Sequence, residues 1–473
     1  MAKPTTARAR TFTGARPSPL PPYLSFLKKH LGAQQRRLLT LLMCLIVAAC
    51  GGNGNTSVAD VGGFRVVHAV SDSPEISFFI EGSSLGTLGY GQASGFLTLA
   101  DGNFDVDAVF NTIDGETTFL LDDERVGVQT LEQTTLVLAG TVAAPVAFEI
   151  EQENPDIATD AAEFQLIHTA GVGALDLYVT TPGAPLGMPQ ATVAANSASG
   201  LVATDAGSRQ VRLTAEGSST VLFDSGPFTL PGGQRLLLHA RPYFGPGAAT
   251  VDLALIDGGI TSSFPEADLP AAVRIANAIG DLPAADVLIE SGGETTTLPS
   301  LPANSFSAEF AVVPGTVDIS VTMETDPGTL FVADSSVVFG GQQRTFIAAG
   351  NFGSNTTTGR LAVDPQRPLS TAAQINFLHG SASVGEVDIY VLSGDEAVTG
   401  SAATIPALPL LANSNLTVLG GTYRVAITRP NETTELTESV SITVANNVLY
   451  SILLTDADGG GEPLQIIQGP NFE

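Results

Sequence analysis

Tryptophan is absent from this chain, and lysine is absent after residue 49. Cysteine occurs only at Cys44 and Cys50, and histidine five times in 473 residues. Cys44 falls in a segment expected to be removed and Cys50 in a position expected to carry lipid. No thiol is then left for a disulfide, a thiolate metal site or cysteine catalysis. Without tryptophan the largest sugar-stacking side chain is missing, leaving seven tyrosines as a weaker substitute. Helical periodicity is also missing beyond residue 50. So are a Gly-x-Ser-x-Gly elbow, a phosphate loop, a His-Glu-x-x-His pair and a dinucleotide fingerprint. Acidic pairs for glycoside hydrolysis need not be close in sequence, so a hydrolase stays as a third reading.

Charge is lopsided. Residues 1–49 hold eight Lys or Arg and no acid, leaving twelve arginines against 48 acids, 12 − 48 = −36. Such a surface repels nucleic acid, which we exclude as a partner, and suits solubility outside the cell.

The amino terminus gives an address. Arg36-Arg37 precedes an apolar run from Leu38 to Ala49, too short to span a bilayer but suited to a signal-peptide core. It ends in Val47-Ala48-Ala49-Cys50, which resembles a bacterial lipobox. That resemblance implies cleavage before Cys50, a diacylglycerol thioether on it, and acylation of the new amino terminus. Several acyl chains anchor stably where one does not. Residues 1–49 are therefore read as a lipoprotein signal peptide and 50–62 as a disordered tether. Gly51, rather than an aspartate, follows Cys50, which favours the outer membrane over the inner.

The rest of the chain is self-similar. Phe64-Arg65-Val66-Val67-His68 is echoed by Phe164-Gln165-Leu166-Ile167-His168, Val273-Arg274-Ile275-Ala276-Asn277 and Ile375-Asn376-Phe377-Leu378-His379. The spacings are 168 − 68 = 100, 277 − 168 = 109 and 379 − 277 = 102, the size of a small domain rather than of a solenoid repeat. A short strand follows each origin, for example Val387-Asp388-Ile389-Tyr390-Val391, and later a glycine (Gly102, Gly207, Gly315, Gly421) heads an alternating run. Alternation marks antiparallel strands with one wet face, and the glycine suits a turn with positive φ. An apolar strand closes each repeat. The fold expected is all-β: four tandem antiparallel sandwiches, immunoglobulin-like or transthyretin-like, of about seven strands each. Their expected limits are 63–155, 162–259, 271–363 and 373–473, joined by short polar seams as semi-rigid beads.

His68, His168 and His379 invite a metal or catalytic story, but they sit in separate repeats on faces shared with core residues. We read them, with Asn277 as a stand-in, as buried structural groups. Asp176, Asp286 and Asp388 should accept hydrogen bonds in an adjoining loop or from a neighbouring strand. Asp122-Asp123-Glu124 reads as a wet hairpin tip, and Tyr178 and Tyr390 as outward-facing. The one calcium candidate is Asp456-Ala457-Asp458-Gly459-Gly460-Gly461-Glu462, which has alternating carboxylates but lacks the distal bidentate glutamate, so an Asp-Gly turn is preferred. No cofactor is expected.

Arg65-Val66-Val67-His68-Ala69-Val70-Ser71-Asp72-Ser73-Pro74, Val387-Asp388-Ile389-Tyr390-Val391 and Gly420-Gly421-Thr422-Tyr423 together resemble a bacterial surface-protein module, domain-of-unknown-function family 4397. The likeness is graded across about 64–473, with Gly171-Val172-Gly173 and Asn277 departing from it. It implies an extracytoplasmic β-sandwich and transfers no catalytic residue. The function expected is a non-enzymatic, lipid-anchored cell-envelope protein that presents its modules for adhesion or binding, its partners being the bilayer and an envelope protein. The alternative is capture of an extracellular polymer such as a glycan.

Overall fold

The computed structural model describes residues 60–469, apart from 154–156, 265, 267–268, 283, 324–325, 395 and 439. The expected signal peptide, most of the tether and Cys50 lie outside the described residues. Among the described residues there is no helix, and none that could cross a membrane.

The first repeat contains eight strands rather than seven: β1 (Val61–Val70), β2 (Ile76–Ile80), β3 (Ser83–Leu88), β4 (Leu97–Ala100), β5 (Gly102–Asn111), β6 (Thr117–Val128), β7 (Glu132–Thr141) and β8 (Ala144–Glu153). Val61 and Gly62, expected in the tether, therefore open β1. Two four-stranded sheets form, in the orders β4-β1-β7-β8 and β3-β2-β5-β6. The arrangement departs from the seven-strand immunoglobulin sandwich. Nor is the sheet wholly antiparallel: β1 runs parallel to β7, with Val66 opposite Leu136 and His68 opposite Leu138. Phe64, Val66, Ile76, Phe78, Val106, Ala108, Leu136 and Leu138 fill the space between the sheets. Each such side chain contributes roughly 1.5–3 kcal/mol by leaving water.

Along the chain the eight sheets fall into four successive pairs, each with this strand order, and we call each pair a module. The β1 equivalents are Ala161–His168, Ala271–Ala278 and Ala373–His379. Each is parallel to its β7 equivalent, Gln234–Pro242, Gln343–Ala349 or Leu449–Thr455. The second module runs past the expected limit of 259, because Ile260–Phe264 adds a further strand against Val251–Asp257. Gly207 (φ 105°) and Gly315 (φ 130°) take the positive φ that an L side chain resists, whereas Gly421 does not.

The modules are more than beads on short seams, and residues from Asp60 onward form one compact unit. In β1 the outward-facing Val67 and Ala69 are as buried as the core. With Val137, Ala139 and Ile150 they meet Ile167, Leu237 and Ile256 of the second module. Ala276, Ala278, Ile347 and Ala349 of the third meet Leu378 and Leu453 of the fourth in the same way. A strand buried on both faces reads as a continuous apolar run, which is why these opening strands do not alternate.

Polar anchors sit in the same interfaces, three residues before His68, His168, Asn277 and His379. Arg65 donates to Thr135 Oγ1 (2.9 Å) and to the Gly258 carbonyl of the second module (2.7 Å), its guanidinium 4.4 Å from the Phe96 ring centre. Arg274 donates to Thr345 Oγ1 (2.7 Å) and to Ser451 Oγ of the fourth (2.5 Å), 5.0 Å from Phe306. Gln165 accepts from Gln152 of the first module. Asn376 donates to Asp364 at 2.9 Å. Arg274 and Asp364, both fully buried, lie 3.7 Å apart. Burial pushes Asp364 up to about 6, against the pull of Arg274 and the Thr345 hydroxyl.

Candidate functional site

The repeat's recurrent polar residues are absorbed by the modules themselves. His68 is fully buried; its Nδ1 accepts the Val70 N–H (3.2 Å), while Nε2 faces the Pro74 carbonyl (3.1 Å) and Ser73 Oγ (3.2 Å). His168 repeats this with Ala170 N–H (3.2 Å) and the Gly173 carbonyl (2.9 Å). A ring that accepts at Nδ1 and donates at Nε2 is neutral. In the third module Asn277 does both jobs: Oδ1 accepts from Ile279 (3.2 Å) and Nδ2 donates to the Leu301 and Pro302 carbonyls (3.2 and 3.0 Å). His379 keeps the first bond, from Ser381 N–H at 3.4 Å. Burial pushes His68 and His379 down to about 4 and lowers His168 as well.

His239, unremarked in the sequence, joins this group. Its Nε2 lies 2.8 Å from Thr169 Oγ1, and a proton on it would be opposed by any on His68 or His168. Burial, then Arg241 and these two histidines, push it down to about 3. The histidines of the first two modules are thus electrostatically linked across the shared interface, which sequence separation concealed.

Asp176 accepts from Thr192 Oγ1 (2.5 Å) and Gly217 N–H (2.9 Å), Asp286 from Ser300 N–H (2.9 Å), and Asp388 from Ala407 and Asn431 N–H (2.8 and 3.2 Å). Each ties its strand to the neighbouring strand, and Asp176 and Asp388 also hold a loop.

The acidic motifs resolve differently from their sequence reading. Asp456 is buried and accepts from Ser381 Oγ and Ser383 Oγ (the latter 2.6 Å), Asp458 accepts from Asn304 (2.9 Å), and Glu462 pairs with Arg429. The three carboxylates of the calcium candidate therefore have separate protein partners. Asp122 and Asp123 are no hairpin tip: they form a bulge within β6, where Asp123 (φ 54°) donates its N–H to Asp107 at 2.9 Å. Asp107, Asp122 and Asp123 are the one group of three close carboxylates among the described residues. Tyr178 and Tyr390 lie on the outer faces of their strands but are buried there: Tyr390 packs against Leu392, Val398 and Ala426.

An open cleft of about 680 Å³ lies where the first three modules and the 364–370 segment meet. Its floor is Tyr90, in the loop between β3 and β4. The Tyr90 ring is edge-on to Phe244 (6.1 Å, 71°) and to His68 (6.0 Å, 82°). The Arg367 guanidinium lies 4.8 Å from its centre and that of Arg241 5.8 Å. Arg241 is held by two 2.6 Å contacts to Asp252 Oδ2, and Arg367 by the Ser71 and Ser73 carbonyls (3.0 and 2.8 Å). Ser370 N–H adds a bond to the Asp72 carbonyl (2.9 Å), so the Ser71-Asp72-Ser73 signature loop receives the segment between the third and fourth modules. Gly245 permits the approach of the second and third modules here, since a Cβ would lie 2.6 Å from the Gly341 carbonyl. Tyr243 donates to the Pro246 carbonyl (2.9 Å), and Phe264, Glu266 and the exposed Phe339 complete the walls. The Tyr90 hydroxyl is buried and has no protein hydrogen-bond partner. Burial raises its pKa against the pull of both arginines. Sequence reading missed this site. The available signal was Arg241-Pro242-Tyr243-Phe244, where one of twelve cations adjoins two aromatics.

Repeated two-sheet modules with parallel first and seventh strands define a β-sandwich repeat protein. The chain belongs to the family described as "Domain of unknown function (DUF4397)", which matches residues 62–178 and 271–390. Each match starts at an odd module and ends in the second strand of the next, 271 − 62 = 209 residues apart. No curated protein matches the chain. Among solved structures it is similar to the Bacillus anthracis TIE protein at 12% identity, over 89% of this chain and 78% of that one, with a TM-score of 0.16.

Proposed function

We propose that this chain is a non-catalytic binding protein of the bacterial cell envelope, anchored through lipid on Cys50 and held at the outer membrane. It comprises four domains descended from one repeated unit. The supporting observation is how the repeat spends its chemistry: His68, His168 and Asn277 on the core faces, and Asp176 and Asp388 on the covered outer faces, are all buried and bond their own module. Binding is the function that loops on a fixed scaffold serve. No cofactor enters this reading, and calcium is not required by it.

The test is metabolic labelling of the full chain with a palmitate analogue in a bacterial host. The wild type should be labelled and partition into detergent, and Cys50→Ala should do neither; an unlabelled wild type would remove the anchor from the proposal. Protease shaving of intact cells then assigns the modules to the outer surface, if they are cut, or to the periplasm.

A second reading, capture of an extracellular polymer, is favoured by the cleft, whose walls combine aromatic faces with side-chain donors and acceptors. A hydrolase remains the third: Asp252, one carboxylate in that cleft, is engaged by Arg241.

A further inference from the structure

The Tyr90 cleft has the composition of a saccharide site. A pyranose presents apolar ring faces edged by hydroxyls that both donate and accept, so its site needs aromatic walls together with donors and acceptors. Tyr243, Phe244 and Phe339 supply aromatic surface. Arg241 and Arg367 donate, while Asp252 and Glu266 bring carboxylate acceptors. A volume of about 680 Å³ suits a short oligosaccharide.

Charge selects the kind of sugar. Two carboxylates answer the two arginines in the cleft, and the chain beyond residue 49 carries 12 − 48 = −36. A polyanionic glycan would be repelled on approach. We propose that the cleft between Tyr90, Arg241 and Arg367 binds a segment of a neutral polysaccharide. The proposal rests on the polymer-capture reading and gives it a site and a ligand class.

Isothermal titration of the full chain in detergent, with neutral hexose oligomers and with uronate oligomers, tests this. The neutral oligomers should bind and the uronates should not. Tyr243→Ala, which removes one aromatic wall, should weaken binding roughly tenfold. Phe339→Ala, at an exposed side chain, should weaken it similarly without unfolding. If saccharides bind but both variants match the wild type, the cleft is wrong while polymer capture stands. If only uronates bind, the neutral class is wrong. If no saccharide binds, both the capture reading and the site fail.

Discussion

Asn277 occupies in the third module the place that His68 holds in the first, each accepting an N–H two residues on at 3.2 Å. An amide and a neutral imidazole are interchangeable there because the position asks for one acceptor and one donor, not for a proton that comes and goes.

Protonating a buried imidazole therefore works against the fold. The folded His68 has a pKa of about 4, below the ordinary 6.5. Its contribution is complete above pH 6.5 and is lost progressively as pH falls towards 4, amounting to about 3 kcal/mol. His379 acts in the same direction over the same window, and His239 continues it to about 3. Melting temperature followed from pH 7.5 to 4 should fall steeply in the wild type. It should fall less in His68→Asn, which borrows the third module's solution; equal slopes would refute the assignment.

Arg274→Ala should cost about 3–5 kcal/mol at neutral pH, because it strips the partner from buried Asp364. Asp364 already lies at about 6 with the arginine present, so without it the carboxyl takes a proton more readily. The variant's deficit relative to wild type should then shrink between pH 7.5 and 5. Denaturant titrations of both proteins at each pH measure this.

Gly380 lies against Ala278 across the interface between the third and fourth modules, where an added Cβ would overlap the Ala278 methyl. Gly380→Ala should destabilise by about 1–3 kcal/mol and expose the 364–372 segment to protease. Gly385→Ala, with nothing within 4 Å of its added carbon, should do neither.

Chelation with EDTA should leave the melting temperature unchanged, since Asp456, Asp458 and Glu462 already have protein partners. Asp456→Ala should lower it, by freeing Ser381 and Ser383 in the calcium-free protein. A calcium-dependent rise in the wild type would show that a cation displaces these bonds.

The all-β class and the tandem recurrence of the unit were legible because they are local patterns. In β5, Phe104, Val106 and Ala108 alternate with acids and announce one dry face. The same rule, applied to Val66, Val67 and Ala69, carried a message that was not taken up: a strand without a wet side has a neighbour on both. Nor could spacing reveal that Arg367 reaches the Ser73 carbonyl almost three hundred residues back. Tyr178 and Tyr390 misled because alternation identifies the second face of a strand without saying what covers it.

The parallel pairing of β1 with β7 sets the order in which this protein can assemble. His68 finds Leu138, its strand neighbour, seventy positions downstream. A chain emerging amino end first must hold its opening strand unmated until most of a module has followed. Val67 and Ala69 then wait for another whole repeat before Ile167 and Leu237 cover them. Until then that apolar face has no cover, and the surplus of acids opposes association between such chains.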